Sequence, residues 1–147
     1  VASDGQSIRF DQDEVREMGR AAGGVRVMKL DKNVSVVGAD TVKKGSNEGA
    51  IFVISANGYG KKTELKEYKV QGRGGSGIKT VKVTEKTGDL IAARIVTAEL
   101  EEAVAISKRS QVIRCGLNEI PTLGRDTQGV RVMKLREGDS LASLICL

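Results

Sequence analysis

Gly72-Arg73-Gly74-Gly75-Ser76-Gly77-Ile78-Lys79-Thr80-Val81-Lys82-Val83 decides the fold, because the chain writes this stretch almost three times. Gly19-Arg20-Ala21-Ala22-Gly23-Gly24-Val25-Arg26-Val27-Met28-Lys29-Leu30 stands 53 residues earlier, and Gly124-Arg125-Asp126-Thr127-Gln128-Gly129-Val130-Arg131-Val132-Met133-Lys134-Leu135 stands 52 later. A Ser-led turn and a short basic strand precede each copy, starting at Ser3, Ser55 and Ser107. A unit of about fifty residues built from short alternating strands reads as one blade of a propeller or a related array. The expected fold is all-β, a propeller-like array of about three four-stranded antiparallel blades. The repeats fall at approximately 1–48, 49–100 and 101–147.

The first repeat is the odd one. Val1-Ala2 stands where Ala50-Ile51-Phe52-Val53-Ile54 and Ala103-Val104-Ala105-Ile106 lead the others, so the first blade is expected to lack its leading strand and the chain to be part of a longer array. The open blade edges such an array leaves are expected to allow self-association.

Period-two alternation predicts strands over 25–30, 78–83 and 130–135, with Arg and Lys facing out between inward apolar residues. Second strands are expected over 34–37, 90–96 and 141–147, after the turns Asp31-Lys32-Asn33, Lys86-Thr87-Gly88-Asp89 and Glu137-Gly138-Asp139. Pro121 belongs in the loop before the third Gly-Arg. Residues 97–106 have helical propensity and an acidic first turn. They occupy the repeat position of a strand, however, so 103–107 is read as strand with at most a helical turn near Leu100.

The 147 residues carry 24 Lys and Arg against 19 Asp and Glu, a net charge of +5, with no histidine and no tryptophan. Basic residues recur at equivalent repeat positions, which would align them along one rim and suit a polyanion, nucleic acid first. The competing interpretation is a solvated basic face. Cys115 and Cys146 lack metal-site spacing and read as reduced small hydrophobes in a cytoplasmic protein. No long apolar run suggests a membrane span, and no metal or cofactor is expected.

Most chemical motifs fail on context. Gly72…Gly77 satisfies G-x-G-x-x-G, but a dinucleotide site needs a helix to follow, and here a strand pattern follows. The same stretch misses a phosphate loop because Ile78 stands where the lysine must be. Without histidine there is no Ser-His-Asp or Cys-His arrangement, and carboxylate pairs such as Asp13-Glu14 and Glu101-Glu102 sit in turns or at strand ends. No catalytic residue is assigned.

The Gly-Arg loops remain. Their glycines let backbone approach another surface closely, and Arg20, Arg73 and Arg125, with Arg26, Lys79 and Arg131 on the following strands, supply phosphate-seeking charge. The basic strands after the Ser-led turns add Arg9, Lys61, Lys62 and Arg114. With so few aromatics, backbone binding to duplex DNA is favoured over base stacking.

At these residues the chain resembles a known family, the C-terminal domain of the DNA gyrase A subunit with its topoisomerase IV relatives. Ser3-Asp4-Gly5-Gln6-Ser7-Ile8-Arg9-Phe10, Asn57-Gly58-Tyr59-Gly60-Lys61-Lys62-Thr63, Ile78 through Lys86 and Gly124 through Val130 look like that domain's recurring phrases. The resemblance implies a β-pinwheel whose blades exchange strands and whose basic rim wraps double-stranded DNA. It also implies a domain of about six blades, of which this chain looks like the last three, working with the gyrase B subunit through the rest of gyrase A. Gln71, Arg73, Gly74, Gly75 and Gly77 match the family's heptapeptide box, Gln-Arg-Arg-Gly-Gly-Lys/Arg-Gly, while Gly72 and Ser76 depart from it and each lose a basic residue. The family's catalytic tyrosine and ATP site lie in other regions, so neither Tyr59 nor Tyr68 inherits a role. The expected function is a non-catalytic DNA-wrapping module; the rivals are a topoisomerase IV domain and a propeller-like interaction scaffold.

Overall fold

A computed structural model describes all residues, Val1–Leu147. The chain is all-β, with nine strands and three single-turn 3-10 helices: β1 Gln6–Ser7, β2 Ala50–Ser55, β3 Tyr59–Glu64, β4 Ile78–Lys79, β5 Leu90–Val96, β6 Glu102–Ser107, β7 Val112–Gly116, β8 Val130–Arg131 and β9 Leu141–Cys146. The 3-10 turns are Gln12–Glu14, Leu65–Glu67 and Leu117–Glu119, one per repeat.

The pairing is antiparallel and crosses repeat boundaries. β4 of the second repeat pairs with β1 of the first, and β8 of the third pairs with β3 of the second. The four-stranded sheet therefore runs β5-β2-β3-β8, its last strand donated by the following repeat, while β7-β6-β9 forms a three-stranded sheet. The outer edge of β7 carries no partner, and Val112 on it is 64% exposed.

Glycines set this exchange. Gly5 and Gly58 have φ of +88° and +81°. A Cβ on Gly58 would lie 2.3 Å from the Met133 carbonyl oxygen, and one on Gly5 2.5 Å from that of Val81. Each glycine carbonyl takes two consecutive N–H groups of the arriving strand: Gly5 those of Thr80 and Val81, Gly58 those of Val132 and Met133. In the third repeat the equivalent position is Ser110, φ +62°, where no strand arrives and a side chain is accommodated.

That doubled acceptor corrects the expected alternation. The predicted six-residue strands at 78–83 and 130–135 pair for two residues only, then bulge, so Thr80 and Val81 are both buried in succession. Residues 25–30 form no ladder at all. Their equivalents pair with the preceding repeat, whereas this segment bonds to the next loop through Gly74 N–H to Val27 O (2.7 Å) and Lys29 N–H to Gly75 O (2.9 Å). Residues 34–37 likewise make only a bridge, Val36 opposite Ala2. Strand β6 occupies the helix-prone stretch, with one turn closed by Leu100 N–H to Thr97 O.

Burial lies between repeats. Phe52, Ile54 and Val96 of the second pack with Ala103, Ala105, Leu117, Ile120, Met133 and Leu141 of the third. Val53, Val81, Leu90 and Ala93 form a smaller cluster against Val1 and Val37 of the first. An array in which a unit cannot bury its apolar face alone gains its stability from such neighbour interfaces. No helix is long and apolar enough to cross a membrane.

Candidate nucleic-acid interface

Each joint repeats one bonding scheme. The Gly-Arg loop of a repeat docks on the 3-10 turn of the repeat before it. Glu14 Oε2 accepts from Arg73 N–H at 2.9 Å, and Glu67 Oε2 from Arg125 N–H at 3.3 Å. The arginine side chain then crosses to the exchanged strand position: Arg73 Nη1 donates to Arg26 O (2.9 Å) and Arg125 Nη1 to Lys79 O (3.0 Å). These two arginines, expected on the rim, are thus also staples between repeats, because guanidinium has several donors and can serve a carbonyl while keeping others free.

The second set of expected residues is largely committed to the fold. Arg9 gives its guanidinium to Asn47 Oδ1, Ser46 O, Leu65 O and Tyr68 O. Lys62, at the equivalent place, donates from Nζ to Leu117 O at 2.7 Å. Arg114, the third equivalent, pairs with Glu102. The largest correction is Lys61. It is wholly buried, and its ammonium donates to Gly124 O, Arg125 O (2.8 Å) and Thr127 Oγ1 (2.9 Å), so it offers no charge to the surface.

Burial pushes the Lys61 amine down to about 8, against the raising influence of Glu67 and Asp126 and with a smaller lowering from Arg125. An unfolded lysine keeps its proton to about 10.4, so between these values the unfolded chain binds more protons and stability rises with pH. Below pH 8 both states carry the charge and the difference is constant. Denaturant melts at pH 8 and 10.5 are expected to show the native chain gaining on the order of 1–3 kcal/mol relative to Lys61→Met. A difference between the two proteins that stays flat across that window would refute the assignment.

Six of the ten expected residues are exposed, Arg73 and Arg114 among them. The others are Arg20, Arg26, Lys79 and Arg131. Arg26 and Arg20 make no ion pair, Lys79 faces Asp126 at 3.4 Å, and Arg131 donates to Tyr59 Oη at 3.0 Å. Three residues further along, Lys29, Lys82 and Lys134 are exposed as well and unpaired. The residues expected from sequence did not include this second row. Its signal was the same repeat register, in strands whose Arg and Lys were all expected to face out. A bulge follows the two paired residues of β4 and β8 and precedes Lys82 and Lys134, whereas Lys29 lies on a segment that makes no ladder.

The box-like motif is a joint element. Gln71 N–H donates to Arg9 O (2.7 Å), Gly74 and Gly75 bond to 27–29, and Gly77, φ +79°, would set a Cβ 2.3 Å from Ser7 O. Between the second and third repeats, Tyr59 is covered by Lys86 Nζ and the Arg131 guanidinium, 5.4 and 5.5 Å from its ring centre. The Tyr68 hydroxyl is spent on Thr80 Oγ1. The glycine-rich loop 72–77 leads into β4 rather than a helix, so it has no helix N-terminus to offer a dinucleotide.

Comparison with known proteins fits this architecture. The family model of the DNA gyrase C-terminal domain, beta-propeller, matches residues 1–43, 50–97 and 101–147. The DNA gyrase A subunit of Staphylococcus epidermidis is 38% identical over 137 residues, 93% of this chain and 15% of the relative's length. A solved DNA gyrase A C-terminal domain superposes with a TM-score of 0.88 at 29% identity, covering 100% of this chain and 49% of the other. A topoisomerase IV C-terminal domain gives 0.91 at 20% identity over 100% of this chain and 45% of the other, a likeness of fold.

Proposed function

Because this chain belongs to the DNA gyrase C-terminal domain family, part of a type II topoisomerase, we propose that it is a non-catalytic module that binds and bends duplex DNA along its basic rim. The observation that carries the proposal is the double row of Arg26, Lys79 and Arg131 with Lys29, Lys82 and Lys134, all exposed and in repeat register.

The mechanism is electrostatic. Ammonium and guanidinium groups spaced by the repeat neutralise successive phosphates and release counterions, so binding is tight at low salt and indifferent to sequence. Bending a duplex of this size through 40–90° costs on the order of 1–6 kcal/mol, which about six to ten phosphate contacts offset at low salt. The double row supplies six such cations, Arg20 a seventh, and Arg73 and Arg125 keep unused donors. In the whole enzyme the module would deliver a bent segment to the breaking and joining machinery of gyrase A and gyrase B, in the bacterial cytoplasm.

The test is affinity for a ~40-bp duplex together with a linking-number assay on nicked plasmid sealed in the presence of protein. Affinity is expected to fall about 10³–10⁵-fold between 50 and 200 mM salt, with a dose-dependent topoisomer shift of one sign. Salt-independent binding would remove the electrostatic mechanism. Salt-sensitive binding without a topoisomer shift would confine the module to binding. The absence of both would leave an interaction scaffold.

A further inference from the structure

Lys61 is the only charged residue among the buried ones, and it is buried under the one loop that presents Arg125. That loop is held at each of its polar handles. The Arg125 N–H is on Glu67, its carbonyl on Lys61, and its guanidinium on Lys79 O, while Thr127 Oγ1 bonds both Lys61 and, at 2.9 Å, Gly124 O. The charged groups around the ammonium are Glu67 from the 3-10 turn beneath, with Asp126 and Arg125 from the loop itself.

The first joint does the same job differently. Ile8 stands at the position equivalent to Lys61, facing a loop of glycines; a Cβ on Gly75 would meet Ile8 Cδ1 at 3.9 Å. An apolar side chain there can pack against the loop but cannot fix the direction of its carbonyls. A lysine ammonium has three donors, and here three acceptors meet them. The burial of a charge is costly, and here it is offset by three hydrogen bonds that all go to this one loop.

We infer that Lys61 is a positioning residue for DNA binding, its ammonium clasping Gly124–Thr127 so that Arg125, beside Lys79, is presented in one fixed direction. Lys61 touches no phosphate itself; it acts through Arg125. The inference rests on the proposed DNA-binding function.

The experiment is a double-mutant cycle on affinity for a ~40-bp duplex at low salt, with amide hydrogen exchange on the free proteins. Lys61→Met and Arg125→Gln are each expected to weaken binding about fivefold to tenfold, and the double variant to bind no more weakly than Arg125→Gln alone. In Lys61→Met without DNA, the amides of 124–129 are expected to exchange faster while those of β2 and β5 keep their protection. Losses that multiply in the double variant, or unchanged affinity in Lys61→Met, would overturn the inference. If Lys61→Met does not fold, Thr127→Val removes one acceptor of the clasp and is expected to show the same non-additivity with a loss of about twofold to threefold. A native chain without salt-dependent affinity would refute the DNA-binding reading and this inference with it, whereas normal native binding with an indifferent Lys61→Met refutes the inference alone.

Discussion

Gly58→Val is expected to lower the stability of the chain by about 3–5 kcal/mol, combining left-handed backbone strain in a β-branched residue with overpacking against a carbonyl. Gly58 sits at φ +81°, and the 2.3 Å separation between its would-be Cβ and Met133 O is backbone against backbone, which no rotamer relieves. The Gly58 carbonyl also accepts from Val132 and Met133, so displacing it uncouples β8 from β3 and loosens Met133 from the main inter-repeat cluster. For a chain of this length the loss corresponds to a fall in Tm of roughly 8–15 °C. The control is Ser110→Val at the equivalent position of the third repeat, where no exchanged strand arrives and serine already bears most of the left-handed strain, so the loss is expected to be about 1 kcal/mol. Thermal melts that give the two variants equal losses would show that strand arrival is not what selects glycine.

Exchanging Arg26, Lys79 and Arg131 together for glutamine is expected to reduce DNA affinity at low salt by at least about 100-fold and to shrink the slope of log affinity against log salt by about 2.7. These three occupy one register position in successive repeats, and their charges are exposed. Fold stability is expected to change little, because the carbonyls of Arg26 and Lys79, not their side chains, receive the Arg73 and Arg125 staples. Arg131 forfeits a part-buried bond to Tyr59, a contact of about 1 kcal/mol. Lys62→Gln is the contrast: its Nζ is on Leu117 O, so it is expected to cost stability at the second joint and leave the salt slope unchanged. A triple variant with the native slope would place the DNA elsewhere on the molecule.

These two experiments separate what the residue pattern could reveal from what it could not. Ser3, Ser55 and Ser107, with the Gly-Arg phrases at fixed spacing, pointed to three equivalent units, because a repeat leaves its mark in sequence whatever fold it takes. The turns carried their own chemistry too: Asn33, Gly88 and Gly138 all adopt positive φ where turns were expected. The repeat also overrode the helical propensity of 97–106, as β6 shows.

The candidate site was less legible. Arg9, Lys61, Lys62 and Arg114 look like surface charge in one dimension, since a basic residue in a strand next to a turn is usually solvated. Three of them turn their charge onto protein carbonyls, one of these wholly inside the molecule, and the fourth pairs with Glu102. Which acceptor a long side chain finds depends on what another repeat brings beside it. Lys29, Lys82 and Lys134 were left out of the candidate set although the Arg and Lys of their segments were expected to face out; the structure leaves all three exposed and without an ion pair.

The sequence by itself determined the all-β class, the spacing of the repeated phrases and the family to which the chain belongs, because those follow from local patterns repeated at a fixed period. Only the tertiary structure decided which strand pairs with which, and which cations remain free. Pairing joins residues about seventy apart, as with Tyr59 and Arg131, and a hydrogen-bond donor is spent or spared according to the carbonyl that a neighbouring repeat places within its reach.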